Sequence, residues 1–142
     1  MTSPRPPFLR ILAAVFLAQV LIIAATAAYM LSYSNLIAPG QGQAFYLDHV
    51  RVAAPLISIV AGAAIFYVLA FWLGRASIEH RMASALLFWL GFVLLATAIT
   101  IIVDGLRGLA DAAPILIASH IVKLAAAFFG ARATIGAHSI AS

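Results

Sequence analysis

Polar residues divide this chain into long apolar runs, and their spacing predicts the secondary structure. A helix crosses a hydrocarbon core with about 20 apolar residues at about 1.5 Å rise each. Four runs reach that length: about Phe8 to Tyr33, Val50 to Leu73, Met82 to Val103 and Ala112 to Ala131. Turn-forming residues separate them. Ser34-Asn35 and Pro39-Gly40-Gln41-Gly42 predict the first loop, with Phe45 and Tyr46 as interfacial anchors. Gly74-Arg75 to Arg81 and Asp104-Gly105 to Asp111 predict two tight charged turns, and Pro114 suits the first turn of the last helix. The expected architecture is an all-α, polytopic membrane protein: a single transmembrane domain (1–142) of four helices in an antiparallel bundle.

Composition supports this and excludes much else. Hydrophobic residues make up 65% of the 142 positions and charged residues 8%, against about 45–50% and about 25% in soluble domains. So few polar side chains cannot cover a water-facing surface. Cysteine is absent, which removes disulfides, thiolate metal sites and cysteine nucleophiles. The net charge of +4 does not point to nucleic acid, because the basic residues are spread over helix ends. Topology accounts for them instead. With the N-terminus inside, Arg5, Arg10, Arg75, Arg81 and Arg132 accompany Glu79 on the inner side. Arg51 and Arg107 accompany Asp48, Asp104 and Asp111 on the outer side. This satisfies the positive-inside rule and predicts both termini in the cytoplasm. The abundance of alanine and of arginine over lysine fits a GC-rich bacterial genome, so the expected location is a bacterial inner membrane. The Ala25-Thr26-Ala27 stretch resembles a signal cleavage site. However, the preceding apolar run exceeds a usual signal core, so a retained first helix is expected.

Each run has one distinctive face at about 100° per residue. Gln19, Thr26 and Tyr33 recur along the first, and Ala54, Ser58 and Gly62 form a small-residue ladder on the second. Thr97, Thr100 and Asp104 share a side of the third. On the fourth, Ser119, His120 and Lys123 cluster opposite an apolar face of Ile117, Ile121, Leu124 and Phe128. Between helices in lipid, small residues allow close packing and polar side chains hydrogen-bond across. That is the expected role of the ladder, of Gln19, of Ser58 and of the threonines.

His120 and Lys123 are the exceptions that call for chemistry. A charge at the centre of a spanning helix costs roughly 2.5–3.5 kcal/mol on insertion scales. The acids Asp48, Glu79, Asp104 and Asp111 all fall near helix ends, out of a lysine's reach. Lys123 then snorkels to the headgroups, is held neutral on Ser119 or a carbonyl, or pairs with a group from another molecule. His120 lies at the depth of Gln19 and is expected to hydrogen-bond with it. Paired histidines could hold haem in a helical bundle, but His49, His80 and His138 do not match the depth of His120. A metal site of His80 and His138 lacks further ligands. No cofactor, metal or catalytic residue is expected, while a bound lipid is compatible with the pattern.

The leading expectation is an accessory or structural subunit of a larger membrane complex. Its loops are short, its lysine is unpaired and it has no catalytic cluster. The alternative is a small transporter or channel, formed by one chain or a homo-oligomer, with His120 and Lys123 lining the pathway. The expected partners are membrane lipids and other membrane subunits, and not nucleic acid.

Overall fold

The structure, a computed structural model, describes residues 7–76 and 78–139, with side chains through Thr134. Arg5, counted above for orientation, and the side chain of His138 lie outside the described residues. The fold is all-helical: α1 (Phe8–Ser32), α2 (Gln43–Ala76) and α3 (Arg81–Ser139), with a π-helical turn at Tyr33–Ile37 and a short 3₁₀ turn at Ile78–His80. Three helices are long and apolar enough to cross a membrane.

α3 has 59 residues. As a straight rod it would measure roughly 88 Å, about three times a hydrocarbon core. It doubles back instead at Gly105, which has φ 71° and ψ −177°. That region of backbone space is nearly closed to residues carrying a Cβ. Its two arms, 81–104 and 106–139, then run side by side, and Trp89 Nε1 donates a 2.9 Å hydrogen bond to the His120 carbonyl. The expected turn from Asp104 to Asp111 thus shrinks to one non-helical residue, with Pro114 inside the second arm rather than in its first turn. Gly105→Val should cost about 1–3 kcal/mol from backbone strain. Thermal unfolding in detergent would show this as a lowered Tm, with Arg107→Ala as the neutral comparison; an unchanged Tm for the valine variant would contradict it.

Other boundaries also move. Ser34 and Asn35 are not loop but part of the π-helical turn, where both side chains donate to the Leu31 carbonyl, at 3.1 and 2.7 Å. These side chains fold back onto the last turn of α1. α2 starts well before Val50 because its first turns are held by aromatic contacts. Tyr33 stacks on His49 with centroids 3.8 Å apart, and Tyr29 Oη lies 3.1 Å from His49 Nε2. The Tyr46 hydroxyl donates to the Ala38 carbonyl at 2.6 Å, closing the connecting loop. Tyr46 is thus a loop tie as well as a candidate anchor.

The interior is uneven along its length. Phe66, Leu73, Ala85, Phe88 and Ala131 belong to a tightly packed core near the N-terminal end of α1. Gly130 is part of the reason for its density: a Cβ there would overlap the Tyr67 carbonyl oxygen, so α2 and the second arm meet backbone to backbone. Among the described residues, Ala53 is the one buried apolar residue at the opposite end, beside Gly105 and the loop at 38–42. Buried side chains concentrate in the filled half around that core, while the larger cavities lie in the other, hollow half.

Candidate functional site

The boundary between the filled and hollow halves is built around Lys123. Its side chain is only 2% exposed. The ammonium donates hydrogen bonds of 2.8 Å to Ser58 Oγ on α2 and 2.8 Å to Ser119 Oγ one turn earlier on its own arm. Nζ also lies 5.1 Å from the centroid of the Phe92 ring on the first arm of α3, within range of a cation–π attraction. The expected bond to Ser119 is present, and Ser58 on α2 is a second acceptor that helical spacing on one segment could not supply. Snorkelling is not found, because both acceptors hold the ammonium inside.

The small-residue ladder makes room for this arrangement. A Cβ at Gly62 would lie 2.5 Å from Lys123 Cε, so the lysine stem crosses α2 where a side chain is missing. One turn along, Ser58 accepts the ammonium, and a further turn along Ala54 lines the cavity beyond it. The ladder therefore seats Lys123 as well as packing helices. Beneath the ammonium, Phe92 packs edge-on to Phe66 at 4.8 Å, and Phe66 packs on Phe88 at 4.6 Å. These rings back the lysine, and Ser58 and Ser119 form the floor in front of it.

Above that floor is a cavity of about 600 Å³, in the range of small-molecule sites. Ser58 and Ser119 form its inner end, and Thr26, Thr100 and Asp104 contribute polar atoms nearer the open end. Its walls are otherwise apolar, with Ile22, Met30, Ile115 and Leu116 among them. It continues into an outer space of about 900 Å³ between α2 and the second arm, edged by Arg51, Asp104 and Asp111. The exposed apolar residues Val52 and Leu56 also edge that outer space. No ion pair joins Lys123 to an acid among the described residues, where the one salt bridge is the exposed Arg51–Asp48 contact of 3.4 Å.

Three expectations need correction. Gln19 and His120 are not hydrogen-bonded, since Gln19 Oε1 and His120 Nδ1 are both buried without partners. The cause is the direction of His120, whose ring packs edge-on to Phe92 at 6.3 Å, toward the first arm of α3. His120 is accordingly absent from the cavity lining, unlike its neighbour Ser119. Thr26 and Thr100 do not bond across helices: each hydroxyl donates 3.0 Å back to its own helix, to the Ile22 and Ala96 carbonyls. The lipid-face residues Ile117, Ile121 and Phe128 are exposed, while Leu124 is half-buried beside Met82 and Ala85. Phe92 is a site residue that the sequence did not single out, whereas Asp104 already stood on the polar side of the third run. Phe92 carries no sequence signal beyond being one of several phenylalanines.

Compared with protein families, curated proteins and solved structures, the chain matches none of them.

Proposed function

We propose that this chain is an integral protein of a bacterial inner membrane, crossing it four times with both termini cytoplasmic. Its function is to bind a small molecule in the hollow outer half, as the binding unit of a small transporter. One observation carries this reading: the apolar cavity of about 600 Å³ ends on Ser58 and Ser119, the two residues that hold the buried Lys123. A lysine kept only for packing would not need its acceptors to face an open space. The packed rings of Phe66, Phe88 and Phe92 lie on the far side of Lys123 from the cavity, which suits a conformation open to one side, as an alternating-access carrier requires. The pathway includes Lys123 through its serines and leaves out His120.

The accessory-subunit role is the second reading. Short extramembrane segments and the absence of a catalytic cluster still support it. Its third support was a lysine in need of an external partner, and Lys123 has two partners within its own chain.

The absence of cysteine makes a direct test simple, because each introduced thiol is the only one. In intact cells, a membrane-impermeant maleimide should label Gln41→Cys, and should label Arg75→Cys only after permeabilisation. Ala54→Cys, inside the cavity and a turn from Ser58, should label from outside at a rate within about tenfold of Gln41→Cys. Reversed labelling at residues 41 and 75 would overturn the orientation. An Ala54→Cys variant that resists reagent from outside would overturn the open cavity.

A further inference from the structure

The donors at the cavity floor identify the chemistry of the ligand. Lys123 uses the oxygens of Ser58 and Ser119 as acceptors, which leaves each hydroxyl hydrogen free to point elsewhere. A serine within a helix usually gives that hydrogen to the carbonyl four residues back, as Ser32 does to Ala28 at 2.9 Å. Ser58 and Ser119 donate to no acceptor among the described residues, although both line the cavity. Ser119 is only 4% exposed, so its free donor is enclosed there. The floor therefore presents two O–H donors backed by an ammonium that has no carboxylate partner among the described residues. Hydrogen bonds gain strength when one member is ionised. An anionic acceptor supplies what this floor lacks: two hydrogen-bond acceptors and one negative charge.

The walls exclude a small hydrated anion. Ile22, Met30, Ile115 and Leu116 give it nothing in exchange for its water. Asp104 and Asp111 edge the approach against a single arginine, Arg51, and leave it net acidic toward free anions arriving from solution. The outer space is also edged by the exposed apolar residues Val52 and Leu56, which gives a membrane-dissolved molecule a sideways entry between α2 and the second arm. We infer that the cavity binds a long-chain monocarboxylate, with its carboxylate accepting from Ser58 and Ser119 above Lys123 and its alkyl chain along the apolar wall. This inference rests on the open-cavity reading, and its test separates the two.

The test uses hexadecanoic acid carrying a diazirine on its chain, photolysed with the full-length protein in liposomes. Its methyl ester serves as the uncharged comparison, and adducts are mapped by mass spectrometry. The acid should label the wall near Met30, Ile115 and Leu116 at least about tenfold more than the ester does. Lys123→Met and Ser58→Ala should each remove that preference. Ile117→Ala, on the exposed face, should retain it. Excess unlabelled hexadecanoate should abolish the adducts, and acetate should not.

Equal labelling by acid and ester would overturn the inference, because the floor would then take any neutral acceptor. Competition by acetate as strong as by hexadecanoate would also overturn it, pointing to a small aqueous carboxylate. Because the acid and ester are compared in the unaltered protein, a variant that fails to fold does not decide the outcome. If Ala54→Cys labels from outside but neither lipid reaches the wall, the monocarboxylate assignment fails and the open cavity stands.

Discussion

Replacing Ser58 and Ser119 together by alanine is expected to destabilise the protein by about 3 kcal/mol or more. A hydrogen bond to a charged group contributes about 1.5–3 kcal/mol, and a buried group left without its partner bears its full desolvation penalty. Lys123 is 2% exposed and takes both of its hydrogen-bond acceptors from these serines. The stronger test is reversal. Adding Lys123→Met to the double alanine variant should recover most of the loss, because the unsatisfied donor is then replaced by an apolar chain of similar length. Lys123→Met alone should be milder than the double serine change, since hydroxyls left without the lysine can turn back to carbonyls of their own helices. Reversible unfolding in mixed micelles would measure all of these. If the double alanine variant were as stable as the parent, the lysine would have another place to go, and the site described above would be wrong.

Phe66→Ala is expected to have an effect of similar or greater size, about 3–5 kcal/mol, as for other large-to-small changes at full burial. Phe66 is completely buried and touches Phe88 and Phe92 at centroid distances of 4.6 and 4.8 Å. Its removal leaves a void that three packed helices cannot easily collapse, because α2 and the second arm of α3 already meet backbone to backbone at Gly130. The loss should extend to the lysine seat, since Phe92 underlies the ammonium and would lose its own support. Phe128→Ala provides the contrast: that ring is 42% exposed and should cost far less. Unfolding of the two variants under the same conditions would check the difference. Equal costs would mean that the filled half is not the rigid body that the packing implies.

Much of this arrangement was legible in the sequence. The apolar runs located the helices because a spanning helix must satisfy its backbone internally and meet apolar surroundings along about 20 residues. Their ends were less legible. The stacking of Tyr33 on His49 and the tie from Tyr46 to Ala38 extend helical structure past the hydrophobic boundary, and periodicity does not register such contacts. The turn between Asp104 and Asp111 looked several residues long because its composition is polar, whereas a single positive φ at Gly105 accomplishes the reversal.

The candidate site divides in the same way. Lys123 was conspicuous, because an ionisable residue in an apolar run is costly wherever it points. Ser119 followed from helical spacing, which places residues four apart on one face. That Ser58 is the other acceptor depends on how α2 is rotated and how far it slides along the second arm. The same holds for Gly62, which clears the stem. His120 shows the converse, since spacing grouped it with Lys123 and packing turned it toward Phe92, away from the cavity.

The sequence by itself determined that the chain is helical with runs apolar enough to cross a membrane, and which residue must be accommodated, because hydropathy and the cost of burying charge are properties of single residues and short windows. The tertiary structure alone decided which serines satisfy that residue, which half is filled and which is hollow. Those depend on distances between segments that the chain brings together from far apart.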